Sequence, residues 1–185
     1  EDARIREARF QVARCLMEQM EAKKADKKFG DLSNGTDEVA GRAVFWRGRL
    51  YSRDGKYAQA ANALRSATDK DWYKKGFPAK GGKKAPTIVA DIDFEYANAL
   101  MLQKDPNWML ALQFLQRVQS RRRDYGQMPE VMSQQAICQH KLKQFEPSRQ
   151  TTERFIATYA QHQLIADIRF LHAENLFLLN RLDES

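Results

Sequence analysis

Three clusters in this 185-residue chain have the residue types that chemistry needs. His172-Ala-Glu174 has the spacing in which a histidine holds zinc and a glutamate moves the proton of a hydrolytic deamination. That site also requires a Pro-Cys-x-x-Cys segment, and the chain has none. The stretch from Gly76 to Lys84, GFPAKGGKK, has glycines and lysines suited to phosphate. A phosphate-binding loop places Lys directly after its second Gly, then Ser or Thr, between a strand and a helix. Here Gly82 intervenes, no hydroxyl follows, and the preceding stretch reads as helix. Asp91, Asp93 and Glu95 set three carboxylates close together near a helix start, where acids complement the N-terminal partial charge without any catalysis. His140, His162 and His172 form no paired zinc pattern and read as structural histidines. No catalytic residue, metal or cofactor is therefore expected.

The other candidate chemistry is recognition. Net charge is +7, and the segment from Lys70 to Pro86 alone contributes +5, from six lysines against Asp71. The rest is nearly balanced, so the chain is a scaffold with one basic insertion at about 70–86 rather than a uniformly basic nucleic-acid binder. Trp72, Tyr73 and Phe77 lie among Lys74, Lys75, Lys80, Lys83 and Lys84. Interleaved aromatics and cations can stack on bases and neutralise phosphates, so nucleic acid is a second class of partner. The alternative is a solvated loop whose Trp72 and Tyr73 finish the preceding helix against the core. Arg121, Arg122 and Arg123 end a helix, where cations suit the C-terminal dipole. Cys15 and Cys138 sit among apolar residues at helical spacing and read as buried free thiols. Asn34-Gly-Thr36 fits a glycosylation sequon.

These groups are carried by helices. Composition is 43% hydrophobic and 30% charged, that of a folded chain, and no apolar run approaches the ~20 residues of a membrane span. About eight helices are expected, over 2–24, 37–53, 56–68, 87–104, 106–122, 129–143, 145–159 and 163–180. Ile5, Ala8, Val12, Cys15, Leu16 and Met20 give the first its apolar face. Gly30, Asn34 and Gly35 mark 26–37 as a polar break, Gly55 reads as a left-handed helix stop, and Asp105-Pro106 reads as a helix start. Nothing alternates as a strand does. The chain opens on Glu1 and closes just after an apolar helix pattern, and it reads as a piece of a longer protein.

The helices repeat. Tyr57, Trp108 and Phe145 each open a second helix, at separations of 51 and 37. Nine residues before each stands a small residue (Gly48, Ala99, Ala136), and Ala173 follows 37 further on. Six before are Tyr51, Leu102 and Gln139. Three after are Ala60, Ala111 and Ser148, and ten after are Ala67, Val118 and Phe155. A small residue lets two helices cross closely, and larger ones fill the groove beside it. The first interval is 14 too long, about the size of the basic insertion, so periodicity finds the insertion independently of its charge.

Gly48, Tyr51, Gly55, Tyr57, Ala60, Leu64 and Ala67 resemble the tetratricopeptide (TPR) repeat, and weaker copies cover about residues 37–182. Phe155-Ile-Ala-Thr-Tyr159 is similar to units of bacterial envelope TPR proteins, although Ala160 stands where those usually have Pro. Arg47, Gln139 and Ser148 depart from the family pattern, and Ala13 is the small residue of a degenerate preceding unit. The resemblance implies an all-α, right-handed α-solenoid of antiparallel helix pairs forming a single segment over 1–185. It implies a non-catalytic scaffold that binds a protein or peptide on the face lined by the first helix of each unit. Arg42, Phe45, Arg49 and Arg53 would face that groove in the first unit, Tyr96 and Lys104 in the second, and Phe170 in the fourth. The arginines make one end basic, which points to an acidic partner. A helical-repeat part of a larger enzyme or envelope assembly protein is the remaining reading, with periplasm and cytoplasm both open.

Overall fold

The computed structural model describes residues 2–79 and 85–180. Within them the chain is helical: α1 Ala3–Glu18, α2 Ala22–Ser33, α3 Glu38–Arg53, α4 Tyr57–Arg65, α5 Asp71–Lys75, α6 Ile88–Met101, α7 Trp108–Arg121, α8 Met128–Lys141, α9 Phe145–Thr158 and α10 Ile165–Leu178. Ten helices thus stand where about eight are expected, and the difference is α2 and α5. The helices group as two compact units, Glu1–Lys104 and Asp105–Ser185.

In the first unit α1 pairs with α2, α3 with α4, and α6 packs on both α3 and α4. Phe10, Ala13, Met17, Ala25, Phe29, Leu32, Val39, Ala43 and Leu50 form the core of the first two pairs. The expected break at 26–37 shrinks to 34–37, where Asn34 and Gly35 stand, because Ala25, Phe29 and Leu32 recur at helical spacing and bury one face of α2. Gly30 lies inside α2, where a Cβ would meet the Arg47 guanidinium at 3.6 Å. The buried face of α1 also differs from the expected one. Phe10, Ala13 and Met17 are inside, while Ile5, Val12, Cys15 and Met20 are exposed. α1 carries apolar residues on two sides, and only the side meeting α2 and α3 is covered.

The turns between paired helices share one geometry. Met20, Gly55, Lys143 and Asn180 adopt positive φ, each seven residues after Ala13, Gly48, Ala136 and Ala173. The next amide closes a six-to-one bond: Glu21 to the Leu16 carbonyl, Lys56 to Tyr51, and Gln144 to Gln139, all within 2.8–2.9 Å. This is the Schellman stop. Ala13, Gly48 and the turns at Met20 and Gly55 thus repeat at 35, so α1–α2 is a full unit. The corresponding place after Ala99 is Pro106, whose ring forbids positive φ. The next helix is capped instead by Asn107, which accepts from the Leu110 amide at 3.0 Å, so the helix start falls two residues beyond Asp105.

The close crossing at Gly48 is tight, since a Cβ there would meet Leu64 of α4 at 2.5–2.8 Å. In the second unit α7 packs on α8, α8 on α9 and α9 on α10. Ala136 and Ala99 are buried, as close crossings require, whereas Ala173 is exposed. The polar departures from the repeat are paired. The Ser148 hydroxyl donates to the Ala136 carbonyl at 2.9 Å and accepts from the Asn175 amide at 2.8 Å. The Thr151 hydroxyl donates to Gln139 Oε1 at 2.9 Å, and Asn175 Oδ1 lies 2.9 Å from His140 Nδ1. A seam of hydrogen bonds thus runs through α8, α9 and α10, where an apolar or Ala contact is usual.

Cys138 is buried, and burial pushes its thiol up to about 12. Cys15, expected to be buried, is exposed. Only thiolate reacts with disulfide reagents. With a disulfide dye at about pH 8 the folded chain should therefore titrate one fast thiol, and the second only on denaturation. Replacing Cys15 with Ser should remove the fast phase, and two fast thiols in native buffer would contradict the packing of α8.

Candidate functional site

Six of the seven residues expected to line a groove, Arg42, Phe45, Arg49, Arg53, Tyr96 and Lys104, belong to the first unit, and Phe170 belongs to the second. Their roles differ. The Arg42 guanidinium is ion-paired with Glu7 of α1 and lies 4.4 Å over the Phe10 ring. The hydrogen bond from Arg42 holds the Glu7 carboxyl below its ordinary value. Both terminal nitrogens of Arg53 sit 3.3 Å from the Met17 carbonyl at the end of α1. These two arginines tie α3 to α1, and they are joined by Arg6, which donates to both oxygens of Asp37 at 2.7 and 2.9 Å. Burial opposes ionisation of Asp37, but Arg6 and the Ala40 amide outweigh it and hold its carboxyl below the usual value. Tyr96 is 4% exposed and is a core residue of α6, because α6 is covered by both α3 and α4.

What remains open on α3 is a cation–aromatic cluster. Phe45 and Trp46 meet edge to face at 5.7 Å. Arg49, exposed, lies 5.8 Å over Phe45 and 5.5 Å over Trp46. Arg14 of α1 covers Trp46 at 4.2 Å and has only a 4.0 Å approach to Glu18. Phe45 and Trp46 are half-buried. Arg49 has no acidic partner among the described residues. Sequence reading found Phe45 and Arg49 through the repeat register but missed Arg14 and Trp46. The packing of α1 beside α3 brings Arg14 to Trp46, and no local spacing reveals that.

Arg47, the departure from the family's Leu, donates to Asp26 of α2 at 2.7 Å. That bond, ahead of the opposing effect of burial, raises its pKa, so the cation is neutralised inside the first unit.

The basic insertion resolves differently from a stacking platform. Trp72 and Tyr73 are buried, with Trp72 stacked on Phe77 at 5.5 Å and both rings against Gly41 of α3. The Tyr73 hydroxyl donates to Asp93, a carboxylate with no exposed surface, so Asp93 is a core partner rather than a surface acid at a helix start. Asp91 keeps the expected place in the first turn of α6 and accepts from the Thr87 hydroxyl at 2.8 Å. Lys74 and Lys75 are exposed, and Lys80, Lys83 and Lys84 lie outside the described residues. The histidines are engaged structurally: His140 with Asn175, His172 Nδ1 with the Thr152 hydroxyl at 2.8 Å, and His162 3.6 Å from Glu130. Among the described residues no group of three His, Cys, Asp or Glu side chains could hold a metal, and no helix is long and apolar enough to cross a membrane.

In the second unit Phe170 is 68% exposed and Phe177 64%, on the same side of α10 as Ala173.

No protein-family model matches the chain, and no curated protein sequence does. Solved structures do. Two structures from Podosopora anserina, of a protein described as a kinesin light chain with nearly identical TPR-like repeats, superpose with TM-scores of 0.68 and 0.67. Identity is 12%, over 96% of this chain and 88% of theirs. PilF of Pseudomonas aeruginosa matches with TM-score 0.65 and 17% identity, over 96% of this chain and 70% of its own. YrrB, described as a TPR protein with an unusual peptide-binding site, matches with TM-score 0.67 and 16% identity, over 94% and 77%. The fold is therefore the all-α helical-repeat fold of TPR proteins.

Proposed function

We propose that this chain is a non-catalytic protein-interaction scaffold that binds an acidic peptide segment across α1 and α3 in the first unit. The observation that carries it is Arg49, an exposed cation over Phe45 and Trp46 with no acid to neutralise it. Arg14 extends the same surface. Arginine over aromatic rings offers both apolar area and a fork of donors for a carboxylate. Arg42 and Arg53 support this surface by fixing α1 against α3 and do not themselves meet the peptide. One structural neighbour, YrrB, is described as having a peptide-binding site, which supports the reading.

The test is selection of displayed random peptides against the intact protein. Selected sequences should be rich in Asp and Glu beside apolar residues. The pair of substitutions Phe45→Ala and Arg49→Glu should weaken their binding at least about tenfold, roughly 1.4 kcal/mol, with helicity by circular dichroism unchanged. Equal affinity for the wild type and this variant would remove the surface from consideration.

A further inference from the structure

The second unit has a groove of its own, lined by none of the residues proposed above to meet a peptide. This groove, of about 430 Å³, runs between α7, the start of α8 and α9, lined by Gln116, Gln119, Ser120, Arg123, Met128, Met132 and Arg154. Met128 and Met132 form its apolar part, Arg123 stands just past the end of α7, and Arg154 stands on α9. No acidic side chain lines it. The acids nearest in sequence are engaged elsewhere: Asp124 with Arg122 at 3.3 Å, Glu153 with Arg149 at 3.1 Å, and Glu130 3.6 Å from His162. Arg123 and Arg154 are both exposed, and neither has a hydrogen bond or ion pair among the described residues. The wall is ordered by the Gln119 amide, which donates to Gln135 Oε1 at 2.7 Å and fixes Gln119 against α8.

We infer that this groove binds an extended protein segment in which two acidic side chains flank an apolar one. Each part of the pattern has a counterpart. Two unneutralised guanidiniums favour two carboxylates and can bind each through paired N–H donors. Two methionines between them form a soft apolar surface that adapts to a partner side chain. The Gln116 amide can serve the backbone of an extended chain, which always carries one donor and one acceptor per residue. A volume of about 430 Å³ falls in the range of binding clefts. A polyphosphate or nucleic acid would use the cations but leave the methionines idle, and two cations are few for a backbone that draws most of its affinity from charge. The acidic–apolar peptide uses all of the lining.

Peptides displayed at random are selected against the intact protein carrying Phe45→Ala and Arg49→Glu, so that the surface on α1 and α3 is disabled. The inference expects an acidic–apolar–acidic consensus. Its synthetic peptide should lose at least about tenfold in affinity with Arg123→Glu plus Arg154→Glu, roughly 1.4 kcal/mol, and should weaken as salt is raised. Met132→Ala should weaken it further without changing the salt slope. The milder pair Arg123→Ala plus Arg154→Ala, checked for unchanged melting, guards against an effect of misfolding. Three results overturn the inference: no acidic consensus, a consensus peptide indifferent to both arginine pairs, or displacement of the peptide by tripolyphosphate with Met132→Ala silent. Because α1 and α3 are disabled throughout, failure here leaves the first surface standing, and failure of that surface leaves this one standing.

Discussion

Phe155→Ala is expected to destabilise the second unit by about 3–5 kcal/mol, the range for a phenylalanine removed from a packed core. The side chain has no exposed surface. It sits in α9, the helix packed against both α8 and α10. Its ring lies 5.3 Å from Tyr159 and 5.9 Å from His162, so truncation strips contacts from the end of α9 and from the turn that follows. The polar seam beside it gives the neighbours little freedom to collapse into the cavity, since Ser148, Thr151 and Asn175 are fixed by hydrogen bonds. A loss of this size should lower the melting midpoint by roughly 10 °C or more by circular dichroism. Phe155→Leu should cost much less. A shift within a degree or two for the alanine variant would mean that α9 is not the centre of this core.

Gly48→Ala should also destabilise, and the sign is the point. In an exposed helix interior the same change stabilises by about 1 kcal/mol, because alanine has the higher helix propensity. In α3 the added methyl would lie 2.5 Å from Leu64 Cγ, which is a branch carbon of a fully buried side chain and not a free end. Either α3 and α4 move apart or Leu64 leaves its rotamer, at a typical cost of 1–3 kcal/mol. The double variant Gly48→Ala with Leu64→Ala should be more stable than the sum of the two single effects predicts, since the collision disappears. Additive single effects in the double-variant cycle would show that the helices do not cross closely at this residue.

The parts of this fold legible in the sequence are those where a residue type is forced. Gly48 is forced by the crossing and Gly55 by its positive φ, so α3 and α4 are readable almost to their ends. The stop between α1 and α2 was hidden because Met20 takes the same left-handed conformation without glycine. Two helices then read as one helix and a polar loop. α5 was hidden as a helix of its own: Trp72 and Tyr73 read as the end of the preceding helix against the core, and they are buried there, while Asp71, Lys74 and Lys75 around them are exposed. The repeat register located Arg42, Arg49 and Arg53 correctly on one helix, but it carries no information about which of them α1 has already engaged. Arg123 was legible only as part of a run that suits a helix end, and Arg154 not at all, because the groove that joins them depends on how α7 and α9 lie across α8.

The hydrogen-bonded seam of the second unit bears on fidelity of assembly. An oily contact between helices tolerates sliding by a turn, because one aliphatic side chain replaces another at small loss. Asn175 tolerates no such slip: a displaced α10 would strand its buried amide and take the partner from His140 Nδ1, while Ser148 kept its bond to the Ala136 carbonyl, and each group left unpaired carries a penalty of about 1–3 kcal/mol. α10 is thereby keyed to α8 and α9, and a look-alike helix from another repeat protein lacking an asparagine at that place would make a poor substitute.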